Sequence, residues 1–378
     1  MPNQLFLLVP GDPATPTGGY IYDRRIADGL RYQGWQAEMI RLDDSFPAPT
    51  RAALDDAAAK LAALPDQALV MIDGLALGAM PDQVARERDR LRLIGLVHHP
   101  LALETGLDPV RAEALRKTEM LALSAMGSVI VTSPATARLL RDFGVDSELC
   151  HIVEPGTDPA PLATGSGHGP PRLLSVGAIT PRKGHRLLIA ALATLTHLDW
   201  QLDCVGSLDR DPGTTAALRR QIAGLELEPR VRLVGTVDAD ALAAAYHRAD
   251  LFVLPSLFEG YGMAYAEAVA RGLPIIGTNA GAIPDTVPAD AALLVEPGSV
   301  PSLTRALEQL LTNRATRHRL AAGARRARVR LPDWPTASRR MARALADGLL
   351  TGSTDEAEDE TSTDAPVENR SGRPSSTS

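Results

Sequence analysis

Two glutamates, Glu259 and Glu267, stand with seven residues between them around Gly260-Tyr261-Gly262. They follow an apolar run, Asp250-Leu251-Phe252-Val253-Leu254-Pro255-Ser256, and lead into a short helix expected to close at Arg271-Gly272. A strand thus delivers the chain to a turn, and the turn opens a helix. The first N–H groups of a helix lack intrahelical partners, and the helix dipole favours negative charge there. That is a place for a phosphate. Gly260 and Gly262 would let a ligand come close to the backbone. Carboxylates do not bind phosphate, but they accept hydrogen bonds from hydroxyl groups. A phosphate beside several hydroxyls describes a sugar nucleotide.

A second segment, Ser175-Val176-Gly177-Ala178-Ile179-Thr180-Pro181-Arg182-Lys183-Gly184-His185, repeats the plan of strand, glycine, loop and helix, with two cations in the loop. A departing diphosphate gains negative charge, and without a metal fixed cations must stabilise it. Arginine binds phosphate oxygens bidentately, and lysine acts as a point charge. Basic residues at a helix start are unfavourable unless an anion is present. Arg182 and Lys183 are therefore read as anion ligands rather than as a surface helix start.

The Glu-x7-Glu pattern behind Pro255-Ser256, with Gly-Tyr-Gly after the first Glu, resembles the retaining glycosyltransferases of family four, which have the GT-B fold. The resemblance extends over most of residues 1–350 and is strongest in the second half. It implies that Glu267 grips the ribose hydroxyls of a nucleotide and that Glu259 contacts the donor sugar. The bland alternatives are an exposed helix glutamate and a capping carboxylate. A glycosidase couple, whose carboxyls stand roughly 5–5.5 Å apart in the retaining form, is less well supported by a loop-plus-helix placement. Relatives carry an arginine directly after the strand glycine. Here Ala178 holds that place, and Arg182 is expected to substitute beside Gly177 and Lys183.

In the first half, the resemblance implies that the Gly18-Gly19 loop lies near the donor phosphates and the acceptor, and that His98 lies near the reacting centre. A plain turn and a satisfied loop histidine are the respective alternatives. His99 occupies a slot that is often Asp in relatives, and Glu104 follows as a candidate acceptor contact. Adjacent histidines on an extended segment point opposite ways and cannot form one metal site. Thr132-Ser133-Pro134 reads as a helix cap, with acceptor contact as the other reading. Ala280-Gly281-Ala282-Ile283-Pro284-Asp285 resembles a Gly-Gly-x-x-Glu loop near the donor, with departures at Ala280 and Asp285.

The elements that must position these residues follow from length and pattern. The 378 residues suit two domains. Strands are expected near 5–10, 35–40, 69–74, 93–98 and 129–133, each separated by helical segments. A second series lies near 172–178, 201–206, 231–236, 250–255, 274–278 and 292–296. This alternation implies α/β architecture with parallel sheets covered on both faces. The expected organisation is an acceptor domain over 1–157, a linker over 158–170 and a Rossmann-like donor domain over 171–331. The resemblance adds that a helix within 332–350 crosses back to the first domain. Residues 351–378 are polar and acidic without apolar periodicity, and are expected to be disordered.

The composition, 45% hydrophobic and 22% charged, is that of a soluble globular chain. The net charge of -7 resides largely in residues 351–378, whose seven acids and two arginines carry -5 and leave -2 for the body. Such a body has no electrostatic footprint for nucleic acid. Arg86, Arg88, Arg90 and Arg92 spread around a presumed helix and do not indicate peripheral membrane docking. Cys150 and Cys204 are read as buried thiols in a reducing compartment. The N-terminal run reads as a strand rather than a signal peptide, and no stretch approaches the ~20 apolar residues of a spanning helix. A cytoplasmic protein is expected, with the inner membrane face as one location.

Together these readings predict a retaining, metal-independent glycosyltransferase with no cofactor. It would move a sugar from a nucleotide-sugar to a glycan, lipid or small-molecule acceptor. The donor site is expected to comprise Gly18, Gly19, Gly177, Arg182, Lys183, Gly260, Tyr261, Gly262 and Glu267. Catalysis is assigned to Glu259, His98, Arg182 and Lys183. The rivals are a nucleotide-sugar epimerase of the same fold and a non-catalytic sugar- or nucleotide-binding protein. A dehydrogenase is disfavoured by the missing GxGxxG fingerprint.

Overall fold

The computed structural model describes residues 3–350, with side chains as far as residue 346. The acidic segment 351–378 lies outside the described residues. Two six-stranded sheets carry the fold, and every strand pairing is parallel. The first is ordered β2-β1-β3-β4-β5-β6, from β1 (Gln4–Pro10), β2 (Gln36–Leu42), β3 (Leu69–Asp73), β4 (Arg92–Val97), β5 (Ser128–Val131) and β6 (Cys150–Ile152). The second is ordered β12-β11-β10-β7-β8-β9, from β7 (Arg172–Val176), β8 (Gln201–Val205), β9 (Val231–Gly235), β10 (Leu251–Val253), β11 (Ile275–Thr278) and β12 (Ala292–Val295).

Burial explains why these segments are strands. In β3 and β5 every residue is buried, as expected where helices cover both faces of a parallel sheet. In each sheet the strand order reverses once, between β1 and β3 and between β7 and β10. Ligands of open α/β sheets bind beyond the strand C-termini at such switch points. Beyond the C-terminal ends of β1, β4, β7 and β10 lie Gly18-Gly19, His98-His99, Gly177 and Glu259, and β3 ends at Asp73; Gly18-Gly19, expected in a loop, open the helix Gly18–Tyr32.

The helix Trp334–Leu350 packs on the first sheet's side of the molecule. Trp334, Ala337, Met341 and Leu345 share one core with Leu5, Leu7, Tyr22, Ile26 and Leu30. Tyr22 and Trp334 meet edge to face at 6.2 Å, and the Arg25 guanidinium lies 4.9 Å from the Trp334 ring. Residues 158–170 have no regular structure but are tied to the second domain. Ala163 N donates to Arg271 O, Thr164 N to His247 O, and Ser166 N to the Asp250 carboxylate.

Three further expectations need correction. The strand β6 was not foreseen, because only Cys150–Ile152 pairs and the run is too short to show a pattern. Cys150 sits on that edge strand and is half buried, whereas Cys204 is buried; both thiols are free. The four arginines from 86 to 92 do not share a helix: it ends at Glu87, and Arg92 opens β4. Arg90 turns inward to the carbonyls of Leu61 and Leu64 and to Glu87. No helix among the described residues is long and apolar enough to cross a membrane.

Candidate active site

On the second domain, β10 runs into Ser256 and then Glu259, which is 5% exposed. Its Oε1 accepts from Lys183 Nζ at 2.6 Å and from Ser256 Oγ at 2.6 Å, and its Oε2 accepts from Arg182 Nη1 at 3.1 Å. Burial alone would raise the carboxyl, but the Lys183 and Arg182 charges outweigh it and hold Glu259 down at about 2. A carboxylate offers about four lone-pair sites. Three are used here, which leaves capacity for a ligand hydroxyl.

The cations are fixed from the other side too. Arg182 Nη1 also donates to Phe258 O, and Lys183 lies over the glycine that ends β7. A Cβ on Gly177 would sit 3.3 Å from the Lys183 side chain. Burial lowers Lys183 and outweighs the support it takes from Glu259. For Arg182 the balance is reversed: burial disfavours the charge, but Glu259 and Glu104 raise it. Arg182 and Lys183 therefore meet at one carboxylate.

The helix Met263–Ala270 begins at Gly262, whose φ of +94° lies in the left-handed region where glycine is favoured. Among the described residues no side chain caps this helix; Tyr265 N and Ala266 N donate to Gly262 O, which leaves the N–H groups of Met263 and Ala264 without a partner. Glu259 is thus not a capping residue. Glu267, on the same helix, is half buried and accepts a 2.8 Å hydrogen bond from the Tyr246 hydroxyl. Burial raises its carboxyl against the opposing effects of Tyr246 and Arg271. Tyr261 is buried, and its hydroxyl feels Glu154 and Arg340 rather than the Glu259 cluster. Only its main chain belongs to the loop.

The first domain closes over this cluster. The His99 ring lies 4.5 Å from that of Phe258, and Glu104 Oε1 stands 3.4 Å from Arg182 Nε. Burial brings His99 down to about 4, which keeps it neutral. Gly18 and Gly19 border the same cleft: a Cβ on Gly18 would meet Met263 Sδ at 3.7 Å, and one on Gly19 would meet His98 at 3.5 Å. Ser133 caps the helix Pro134–Leu140 by accepting Thr136 N, and Thr136 Oγ1 reaches across to Gly260 O at 3.3 Å. Asp285 pairs with Arg138 at 2.9 Å, again between domains. Gly281 packs directly on the Glu259 main chain.

Five residues of this site carry no role in the sequence reading. Ser256 and Tyr246 orient the two glutamates. Glu119, buried on the helix Pro109–Leu123, accepts Leu101 N and Ala102 N and so pins the loop after His98-His99-Pro100. Asp23 and Asp73 are fully buried beside His98, whose Nε2 lies 3.1 Å from Asp23 Oδ1 and 3.6 Å from Asp73 Oδ2. The available signal was a charge within an apolar stripe: Asp23 shares its helix face with Ile26, Ala27 and Leu30. The three groups lie within 4.8 Å of one another, compact enough to admit a cation. The 3.1 Å N···O spacing is that of a hydrogen bond, and we read it as one.

Residues 161–327 match the family described as glycosyl transferases group 1. The MMP alpha-(1->4)-mannosyltransferase of Mycolicibacterium hassiacum is 31% identical over 258 residues, which are 64% of this chain and 62% of the relative. A D-inositol 3-phosphate glycosyltransferase of Pseudarthrobacter chlorophenolicus is 28% identical over 57% of this chain and 55% of its own length. The chain thus matches somewhat under two-thirds of these relatives. Among solved structures, a sucrose-phosphate synthase from Thermosynechococcus elongatus superimposes with a TM-score of 0.78 at 24% identity, covering 93% of this chain and 100% of that one. Anabaena HepE in complex with UDP-glucose gives 0.74 at 18% identity, covering 91% and 99%. Two parallel six-stranded sheets and these superpositions give the chain the GT-B fold, and its second half, over residues 161–327, matches the group 1 glycosyl transferases.

Proposed function

We propose that this protein is a retaining glycosyltransferase that moves a sugar from a nucleotide-sugar to a hydroxyl-bearing acceptor held by the first domain. The observation that carries the reading is the Lys183–Glu259–Arg182 cluster beside an uncapped helix start. Glu259 accepts hydroxyls of the donor sugar, and Glu267 accepts those of the ribose. Lys183, Arg182 and the N–H groups after Gly262 stabilise the departing diphosphate. Two fixed cations supply the charge that a divalent metal would otherwise provide, so the reaction is read as metal-independent.

Retention follows in this reading from attack on the face the diphosphate is leaving, with a diphosphate oxygen taking the acceptor proton. His98 and the Gly18-Gly19 helix start contact the substrate from the first domain. Closure of the cleft excludes the water that would hydrolyse the donor. HepE is described with UDP-glucose, which supports a nucleotide-sugar as the donor class.

The test is calorimetry and thermal shift against UDP, GDP, ADP and their common sugar conjugates, with EDTA present. A ligand of the folded state raises its apparent stability. One nucleoside diphosphate is expected to bind without metal. Absence of binding by all of them, with or without added metal, overturns the reading.

A further inference from the structure

We propose that Asp23 and Asp73 are positioning residues for His98: the two buried carboxyls share one proton, and Asp23 holds the His98 Nε2–H so that Nδ1 presents an N–H to an oxygen of the bound sugar. This rests on reading the cleft as a transferase site.

The geometry asks for such a proton. Asp23 and Asp73 are 0% and 1% exposed, and the Oδ2 atom of each has no hydrogen-bond partner among the described residues. Asp73 Oδ1 is occupied by Leu75 N at 2.7 Å. Buried orphan acceptors are costly, and two adjacent carboxylates cannot readily both be ionised. A proton on Asp73 turns one acceptor into a donor and satisfies both orphans at once. Burial and the Asp23 charge push Asp73 up, to about 7, consistent with that placement.

His98 receives the other half of the arrangement. Burial disfavours its charge, yet Asp23 and then Asp73 outweigh burial and raise it. The groups facing it are few. The helix Gly18–Tyr32 contributes Asp23 and Tyr22, whose ring meets the imidazole edge-on at 5.2 Å. Tyr20, on the same helix, is occupied by Pro10 O. Strand β3 contributes Asp73, and the second domain contributes the uncharged Gly260 main chain. The imidazole is 22% exposed, and among the described residues no group bonds its Nδ1. With Nε2 tied to Asp23, the ring has one nitrogen left for the cleft. A doubly protonated ring donates there; a neutral ring keeps its proton on Nε2 and can only accept.

The experiment follows the histidine ring signals of the full chain by NMR between pH 5.5 and 9, with His98→Gln as the assignment control. In the wild type, His98 is expected to titrate above the ordinary 6.5. Asp73→Asn supplies a permanent N–H donor toward Asp23, so His98 should remain protonated. Asp23→Asn removes the negative charge while leaving a carbonyl acceptor, and the His98 midpoint should fall by at least about one pH unit. A merely structural role would lower the melting temperature of both variants and leave that midpoint unmoved. Equal midpoints in all three proteins overturn the proposal, as does a stoichiometric divalent metal in the purified wild type. Should Asp23→Asn not fold, a midpoint below pH 6.5 in the wild type or in Asp73→Asn overturns it equally. The readout needs no substrate, so its failure is distinct from a failure to bind nucleotide.

Discussion

Gly260 of the second domain rests against the main-chain carbonyl of His98 in the first. A Cβ placed on Gly260 would lie 1.9 Å from that oxygen, far inside contact distance. The glycine read from sequence as room for a ligand is, in this closed cleft, room for the opposite domain. Gly260→Ala should therefore hold the domains apart while leaving both cores intact. Turnover is expected to fall on the order of 100-fold, the scale of a ~1 Å misplacement. Nucleoside diphosphate affinity, measured by calorimetry, should change little.

The two glutamates should separate binding from turnover. Glu267→Ala removes an acceptor already oriented by Tyr246 and should weaken nucleotide binding by ~1.5–3 kcal/mol. Glu259→Ala should mainly reduce turnover, and it also strips half-buried Lys183 of its carboxylate and leaves Arg182 with Glu104 alone. That second effect should be visible as a lower urea midpoint without ligand. Equal activity of both variants and the wild type would contradict the assignment.

Acid should act on the same cluster. Glu259 has a folded value of about 2 against an ordinary 4.5. Its contribution to stability is complete above about pH 4.5 and disappears as pH falls toward 2. His185 acts at higher pH. Buried with both ring nitrogens unpartnered, it is pushed down to about 3, chiefly by burial and then by Lys183. The unfolded chain takes up a proton below the ordinary 6.5 that the folded chain refuses, so stability falls between pH 6.5 and 3. In His185→Leu the loss of melting temperature between pH 7 and pH 5 should be smaller than in the wild type.

Trp334→Ala should open a cavity where the last helix meets the first domain. The expected loss is about 3–5 kcal/mol, read by chemical denaturation. The exposed Arg138–Asp285 pair is worth less: Arg138→Ala should cost under ~1 kcal/mol.

The fold was legible in the sequence wherever a run such as Leu69–Asp73 is apolar on both faces and a helix follows. It was not legible at β6, three residues long and defined only by its pairing with β5. Glu259, Lys183 and Arg182 could be named because their spacing around glycine-ended strands is local. Asp23, Asp73 and His98 lie fifty and twenty-five residues apart in turn. Only the sheet order β1-β3-β4 makes them neighbours. Ser256 and Tyr246 went unassigned because orienting a carboxylate leaves no mark in sequence beyond a hydroxyl.

The chain passes between the domains twice, and the passages touch. Thr157 N donates to Pro332 O at 2.7 Å, and a Cβ on Gly156 would strike the Trp334 backbone nitrogen at 2.3 Å. The second domain is therefore clasped by a two-ply strap whose plies run side by side. A strap bends easily across its width but resists torsion and sliding. The paired crossings thus fix the register in which His98 and Gly260 face each other, as a sewn spine fixes the facing pages of a book.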